Sequence, residues 1–180
     1  MSSVAIATRT GEIDAINQTT IVPITSVKYS NDDGRKFKRS LFVAAKAVPS
    51  TIGGGAHCHL YVLMDAASYN AHTTESYTEA MKPGTVTFIL GADAVALAQE
   101  KVNHPVAAKL FRTQEGVVIA LHNAIIANVP EDIIIKLKDP EYDYNKVHPR
   151  TLLTHIIANA DPESVFDAKQ LKAIRRTLSE

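Results

Sequence analysis

An all-α fold is what this sequence predicts: a compact bundle of six or seven helices over residues 31–180, entered by an extended arm over residues 1–30. Apolar residues recur three and four positions apart in several separate windows, the spacing that lays one stripe along a helix. Capping residues and prolines stand where those windows begin, and glycine or proline where they end. Only the first 30 residues have a β-like composition, rich in Thr, Ser, Val and Ile.

In that first stretch Pro23 interrupts Ile21-Val22-Pro23-Ile24. A proline cannot donate to a central ladder, so the segment reads as an arm or an edge strand. Asn31-Asp32-Asp33-Gly34 reads as a turn with a ready helix cap. The helix that follows runs to about Val48 and buries Phe37, Leu41, Ala44, Ala45 and Val48, leaving Arg35, Lys36, Lys38, Arg39 and Lys46 on other faces. Pro49 and the triplet Gly53-Gly54-Gly55 break it. Three successive glycines mark a tight turn or a close backbone approach. Ala56–Met64 reads as a short, mostly apolar helix, and Asp65 as the cap of another turn through Tyr69. Residues 72–90 look like a long surface loop, which is unusual inside a small domain.

The second half is plainer. Gly91-Ala92-Asp93 opens a helix reaching about Asn128, with a kink or join expected at His104-Pro105. Its later part places Val117, Val118, Leu121, Ala124 and Ile125 on one face. Pro130 starts a short helix, Glu131–Lys138, and His148-Pro149 precedes another that carries Leu152, Leu153, Ile156 and Ile157. Asp161-Pro162-Glu163 introduces the last helix, with Leu171, Ile174 and Leu178 on one side. The expected core is Phe37, Leu41, Leu60, Leu63, Val118, Leu121, Ile125, Ile134, Leu153, Ile156 and Leu171.

Bulk properties bound the function. The chain has 180 residues, 46% of them hydrophobic, enough for one domain with one core. Nineteen basic residues balance nineteen acidic ones, without the excess expected of a duplex-binding polycation. One cysteine, Cys58, fits a reducing compartment. The first residues lack the basic and apolar regions of a signal peptide, and no apolar run approaches the ~20 residues that cross a bilayer. The expectation is a cytoplasmic protein with no membrane partner.

Catalytic chemistry is hard to assemble from these residues. His57-Cys58-His59 is the one tight cluster among seven histidines, and zinc requires three or four converging ligands. On a helix, side chains two apart diverge. Cys58 on an apolar segment reads as an inert thiol. The glycine triplet lacks the Gly-Lys-Ser/Thr ending of a phosphate loop, so Gly53, Gly54 and Gly55 read as a structural turn. Asp139, Glu141 and Asp143 match no calcium loop. No catalytic, metal or cofactor-binding set and no small-molecule substrate are expected. Two basic groups remain, Arg35-Lys36-Phe37-Lys38-Arg39 and the cations Lys169, Lys172, Arg175 and Arg176 of the final helix. Either is a solvated face or a contact for phosphates; the nucleic-acid candidates are Arg35, Lys36, Lys38, Arg39, Lys172, Arg175 and Arg176.

From Ala47 to Leu60, Ala-Val-Pro-Ser-Thr-Ile-Gly-Gly-Gly-Ala-His-Cys-His-Leu, the sequence resembles the Gag-like, capsid-type proteins of copia-type LTR retrotransposons, in a form common in diatoms and other marine microalgae. The similarity continues through Asp65–Tyr69, Ala120–Pro130, Leu137–Pro140 and Pro149–Ile156, and covers roughly residues 30–178. The chain departs from that family in having no tryptophan, no second capsid half and no zinc knuckle before Glu180. The resemblance implies a domain like the N-terminal domain of a capsid protein, in a domesticated or truncated form. It implies a non-enzymatic structural protein, a homo-oligomer that self-assembles through helix faces. The alternative is a helical module that binds nucleic acid through Arg35–Arg39 and the last helix.

Overall fold

The structure, a computed structural model, describes Gly11 and residues 14–84 and 94–160. Helix α1 (Asn31–Lys46) is capped by Ser30. The Ser30 hydroxyl accepts the Asp33 N–H at 3.2 Å, and the Asp33 carboxylate accepts the Ser30 N–H at 3.1 Å. This reciprocal box satisfies two donors that a helix start leaves orphaned. Asn31–Gly34 is therefore the first helical turn rather than a turn before it. The expected stripe is buried throughout: Phe37, Leu41, Ala44 and Ala45 expose nothing, and Val48, just past the helix end, is buried too.

The arm carries no β-strand among its described residues. Residues 14–17 make a helical turn and residues 20–26 form neither helix nor strand. What holds this stretch is side-chain and helix-end chemistry instead of a ladder. The Val22 N–H donates to Ser40 Oγ at 3.1 Å, and the Ile24 N–H donates to the Asn128 carbonyl at 2.9 Å, an acceptor left free by a helix end. The Tyr29 hydroxyl donates to the Ile156 carbonyl, and Ile16, Ile24 and Tyr29 are buried.

Helix α2 (Ala66–His72) is capped by Asp65, whose carboxylate accepts the Ser68 N–H at 2.7 Å, as the sequence suggests. Helix α3 (Ala94–Ala127) runs through Pro105 without a break in the helix. Helix α4 (Glu131–Ile134) is only four residues, and a tighter 3-10 turn over Ile135–Leu137 replaces the rest of the expected helix. Helix α5 (Pro149–Ala158) has Pro149 in its first turn, where a missing N–H costs nothing. It packs against α1, α3 and α4, and α1 also packs on α3. With the turn at 14–17, the described residues contain six α-helical elements and no strand, which makes the domain all-α.

Ala56–Met64 corrects the sequence expectation. Cys58 has φ of 51°, a left-handed residue that ends any helical ladder, and only Leu60–Val62 forms a 3-10 turn. All of Leu60–Met64 is nonetheless buried. A run hidden on every side has no period, so periodicity cannot tell it from a helix. Val118 is half-buried against the core instead of within it, and Leu171 lies outside the described residues. The other expected core positions are buried.

Leu121 is fully buried in the later part of α3. Leu121→Ala is expected to lower the unfolding free energy in urea by about 2–5 kcal/mol. A change below about 0.5 kcal/mol would show that the α3 face is misassigned.

Candidate functional site

Between α1 and α2 the chain must reverse, and Gly53, Gly54 and Gly55 do it with φ of 66°, 100° and 85°. A Cβ at Gly55 would sit 2.5 Å from the Ser50 carbonyl oxygen, so only glycine fits there. The Glu75 carboxylate closes the turn from outside. It accepts the Ala56 N–H at 2.8 Å and the Tyr69 hydroxyl at 3.1 Å. The triplet thus makes a tight turn that the Glu75 carboxylate holds.

That reversal delivers His59, Tyr61 and Tyr69 to one side of α5, where Tyr77 joins them. Tyr77 meets Tyr61 edge-on with ring centres 6.4 Å apart, and Tyr69 in the same way at 5.7 Å. Such T-shaped contacts suit the ring quadrupoles. Arg150, at the start of α5, ties the cluster together. Its Nη2 donates to the Tyr61 carbonyl at 2.8 Å, to Glu79 at 2.9 Å and to the Tyr77 hydroxyl, which itself donates to Glu79. The Tyr61 hydroxyl donates to Gln114 of α3 at 3.2 Å, and the Ala80 N–H donates to the same oxygen at 2.6 Å. Residues 73–84 therefore form a strap laid over the tyrosines, fastened to α2, α3 and α5. It ends with His104 of α3 donating to the Gly84 carbonyl at 2.8 Å.

Burial sets the electrostatics. The His59 ring is 1% exposed, and burial pulls its pKa down to about 4, with the Pro49 carbonyl pulling the other way. Its Nδ1 lies 3.0 Å from the Tyr61 hydroxyl. Burial raises the Tyr61 phenol well above its ordinary value, and burial with the Glu79 bond pushes Tyr77 up to about 12. Burial would also raise Glu79, but its bonds to Tyr77 and Arg150 outweigh that and hold it below the usual carboxylate range. The phenols stay protonated as donors at neutral pH, and Glu79 stays ionised for Arg150. The three phenols and Glu79 are thus all hydrogen-bonded, while two buried nitrogens of the cluster, His59 Nε2 and Arg150 Nε, have no hydrogen-bond partner among the described residues.

The His57-Cys58-His59 cluster does not converge. His59 faces Tyr61, while His57 stands edge-on to Tyr69 at 6.3 Å. Among the described residues no three His, Cys, Asp or Glu side chains could share a metal ion. Asp139 accepts the N–H groups of Glu141 and Tyr142, and pairs with Asp143 in a single bridge.

Of the basic candidates, Arg35, Lys36 and Arg39 are exposed on α1 and Lys38 is half-buried, its ammonium 5.3 Å from the Phe42 ring centre. Lys36 pairs with Asp32 at 2.7 Å. Arg35, Arg39 and Lys46 make no ion pair among the described residues. The structure thus gathers four cations of the first group on one helix. Lys172, Arg175 and Arg176 lie outside the described residues.

A surface that the sequence reading missed lies on α3. At 3.6 residues per turn, Val102 and Val106 share a side with Val117, Ala120 and Leu121. The last three are buried, whereas Val102 is 62% exposed and Val106 55%. One face of a single helix therefore leaves the core and continues into solvent. No described residue before Gly116 in this helix is buried. Arg150 was likewise missed as the organising residue; the signal available was three tyrosines, Tyr61, Tyr69 and Tyr77, closely spaced around an unusually long loop.

No family model matches the chain, and neither a curated protein nor a solved structure matches it. No single helix among the described residues is long and apolar enough to cross a membrane.

Proposed function

We propose that this chain is a non-enzymatic structural protein, a Gag- or capsid-like building block that assembles with copies of itself through helix faces. The observation that carries the proposal is the α3 face, buried at Val117 and Leu121 and open at Val102 and Val106. A helix of 34 residues is about 50 Å long, and only its later part reaches the domain core. The open part offers an apolar edge at Val102 and Val106 that an identical edge can cover, which is how isologous contacts form. The tyrosine network supports the same reading, because its three phenols are hydrogen-bonded within the domain, to Gln114, Glu75 and Glu79.

Light scattering of the purified chain is expected to give a mass above that of the 19.5 kDa monomer. Val102→Glu, at a position that contributes nothing to the core, is expected to return it to the monomer with unchanged melting. A monomer at high concentration across salt conditions would refute self-assembly. An oligomer indifferent to Val102→Glu would place the contact elsewhere.

A second reading has its own observation, the uncompensated Arg35, Arg39 and Lys46 along α1. These cations support phosphate binding. Affinity for a single-stranded oligonucleotide is then expected to fall as salt rises, by about 0.7 in log–log slope for each phosphate neutralised. Arg35→Ala with Arg39→Ala should flatten that slope. Binding insensitive to salt would exclude the phosphate mechanism.

A further inference from the structure

Helix α5 begins with an unusual cap. The residues that cap helices well are Ser, Thr, Asp and Asn, whose oxygens accept at any neutral pH. Here His148 does it, its Nδ1 accepting the Arg150 N–H at 3.2 Å. A ring nitrogen accepts only while it carries no proton. The same two residues lie at the root of the strap, because the Arg150 side chain holds Glu79, Tyr77 and the Tyr61 carbonyl.

We propose that His148 is an acid-released latch: neutral, it caps α5 and leaves Glu79 to Arg150; protonated, it abandons the cap, competes with Arg150 for Glu79, and loosens residues 73–84 from the tyrosines.

Three charged or titratable neighbours act on the ring, one from each element packed there. Arg150 of α5 and His122 of α3 oppose a positive charge on it, and Glu79 of the strap attracts one. The first turn of α5 opposes it as well, since the positive end of the helix dipole lies there. A proton on His148 thus removes an acceptor, places like charges side by side and leaves one escape, towards Glu79. That carboxylate makes the strap's only salt bridge among the described residues; its other fastenings are hydrogen bonds, among them Tyr77 N–H to Asn70 Oδ1 at 3.0 Å, Ala80 N–H to Gln114, and Ala56 N–H and the Tyr69 hydroxyl to the Glu75 carboxylate.

Burial, then Arg150, holds His148 below the ordinary histidine value in the latched state. A group depressed on latching contributes stability that is complete above its free pKa, about 6.5, and is lost as pH falls through the latched value. His59 lies beneath Tyr61 and is held lower, near 4, so its titration falls in a more acidic range. The latch is independent of whether the protein assembles.

Hydrogen exchange of amides 73–84 in the full chain, corrected for intrinsic pH dependence, reads the latch directly. Between pH 7.5 and 5 the wild-type strap is expected to open at least about fivefold more often. His148→Asn, which caps through a side-chain oxygen that does not titrate, should keep the strap closed at both pH values. Equal protection of the wild-type strap at both values would overturn the proposal, as would parallel opening in the variant. Should His148→Asn fail to fold, the wild-type ring titration by NMR decides. Strap amide shifts must share the His148 midpoint, and a midpoint following His59 or the carboxylates refutes the latch.

Discussion

The guanidinium of Arg150 is the constraint on which the arrangement of this domain rests. Helices α1, α3 and α5 make the core, but between residues 49 and 84 only α2 is an α-helix, and residues 73–84 contain neither helix nor strand. Such a segment stays in place only if its polar groups find partners elsewhere. Arg150 provides them in one place, bonding the Tyr61 carbonyl beneath the strap and Tyr77 and Glu79 within it. All three bonds leave from one guanidinium nitrogen, Nη2, so the strap and the Tyr61 backbone are gathered at a single point. Glu75 performs the matching task at the other end, closing the glycine turn on Tyr69.

Two kinds of surface follow from this economy. The face built around Arg150 bonds its phenols and Glu79 internally, with His59 kept neutral and the phenols kept as donors, so it is suited to holding shape. Helix α3 has the opposite character. Its later turns are locked among Leu152, Ile156 and Leu41, while its earlier ones carry the same apolar edge beyond the core. An apolar edge left open on a rigid helix is a standing incentive for association. The basic ridge of α1 lies on another surface, its carboxylates confined to the first turn where they serve the cap and the dipole. Assembly and anion binding would therefore use separate faces of one small domain.

Helix-level structure was legible in the sequence because amphipathic periodicity records which face is buried. Phe37, Leu41, Ala44 and Ala45 announced α1, and Leu152, Leu153 and Ile156 announced α5. The same logic fails where burial is total: Leu60–Met64 has no polar side, so a 3-10 turn was read as a helix. The start of α1 was placed a full turn too late because Asn31-Asp32-Asp33-Gly34 has the composition of a turn, whereas the Ser30–Asp33 box makes those residues the first turn of the helix. Val22 and Ile24 have strand-like composition, yet their N–H groups pair with a serine side chain and a helix end. The Arg150 network was invisible for another reason. Its members lie up to 89 positions apart, and no local pattern encodes a hydrogen bond from Arg150 to the Tyr61 carbonyl.

The most direct test of this account is the unfolding free energy of Arg150→Met beside the wild type, measured in urea at pH 7.5. Methionine keeps an apolar stem but offers no donor, and the account requires a loss of about 1–3 kcal/mol together with faster exchange across residues 73–84. A variant within about 0.3 kcal/mol of the wild type, its strap as well protected, would show that the helices hold that segment without Arg150.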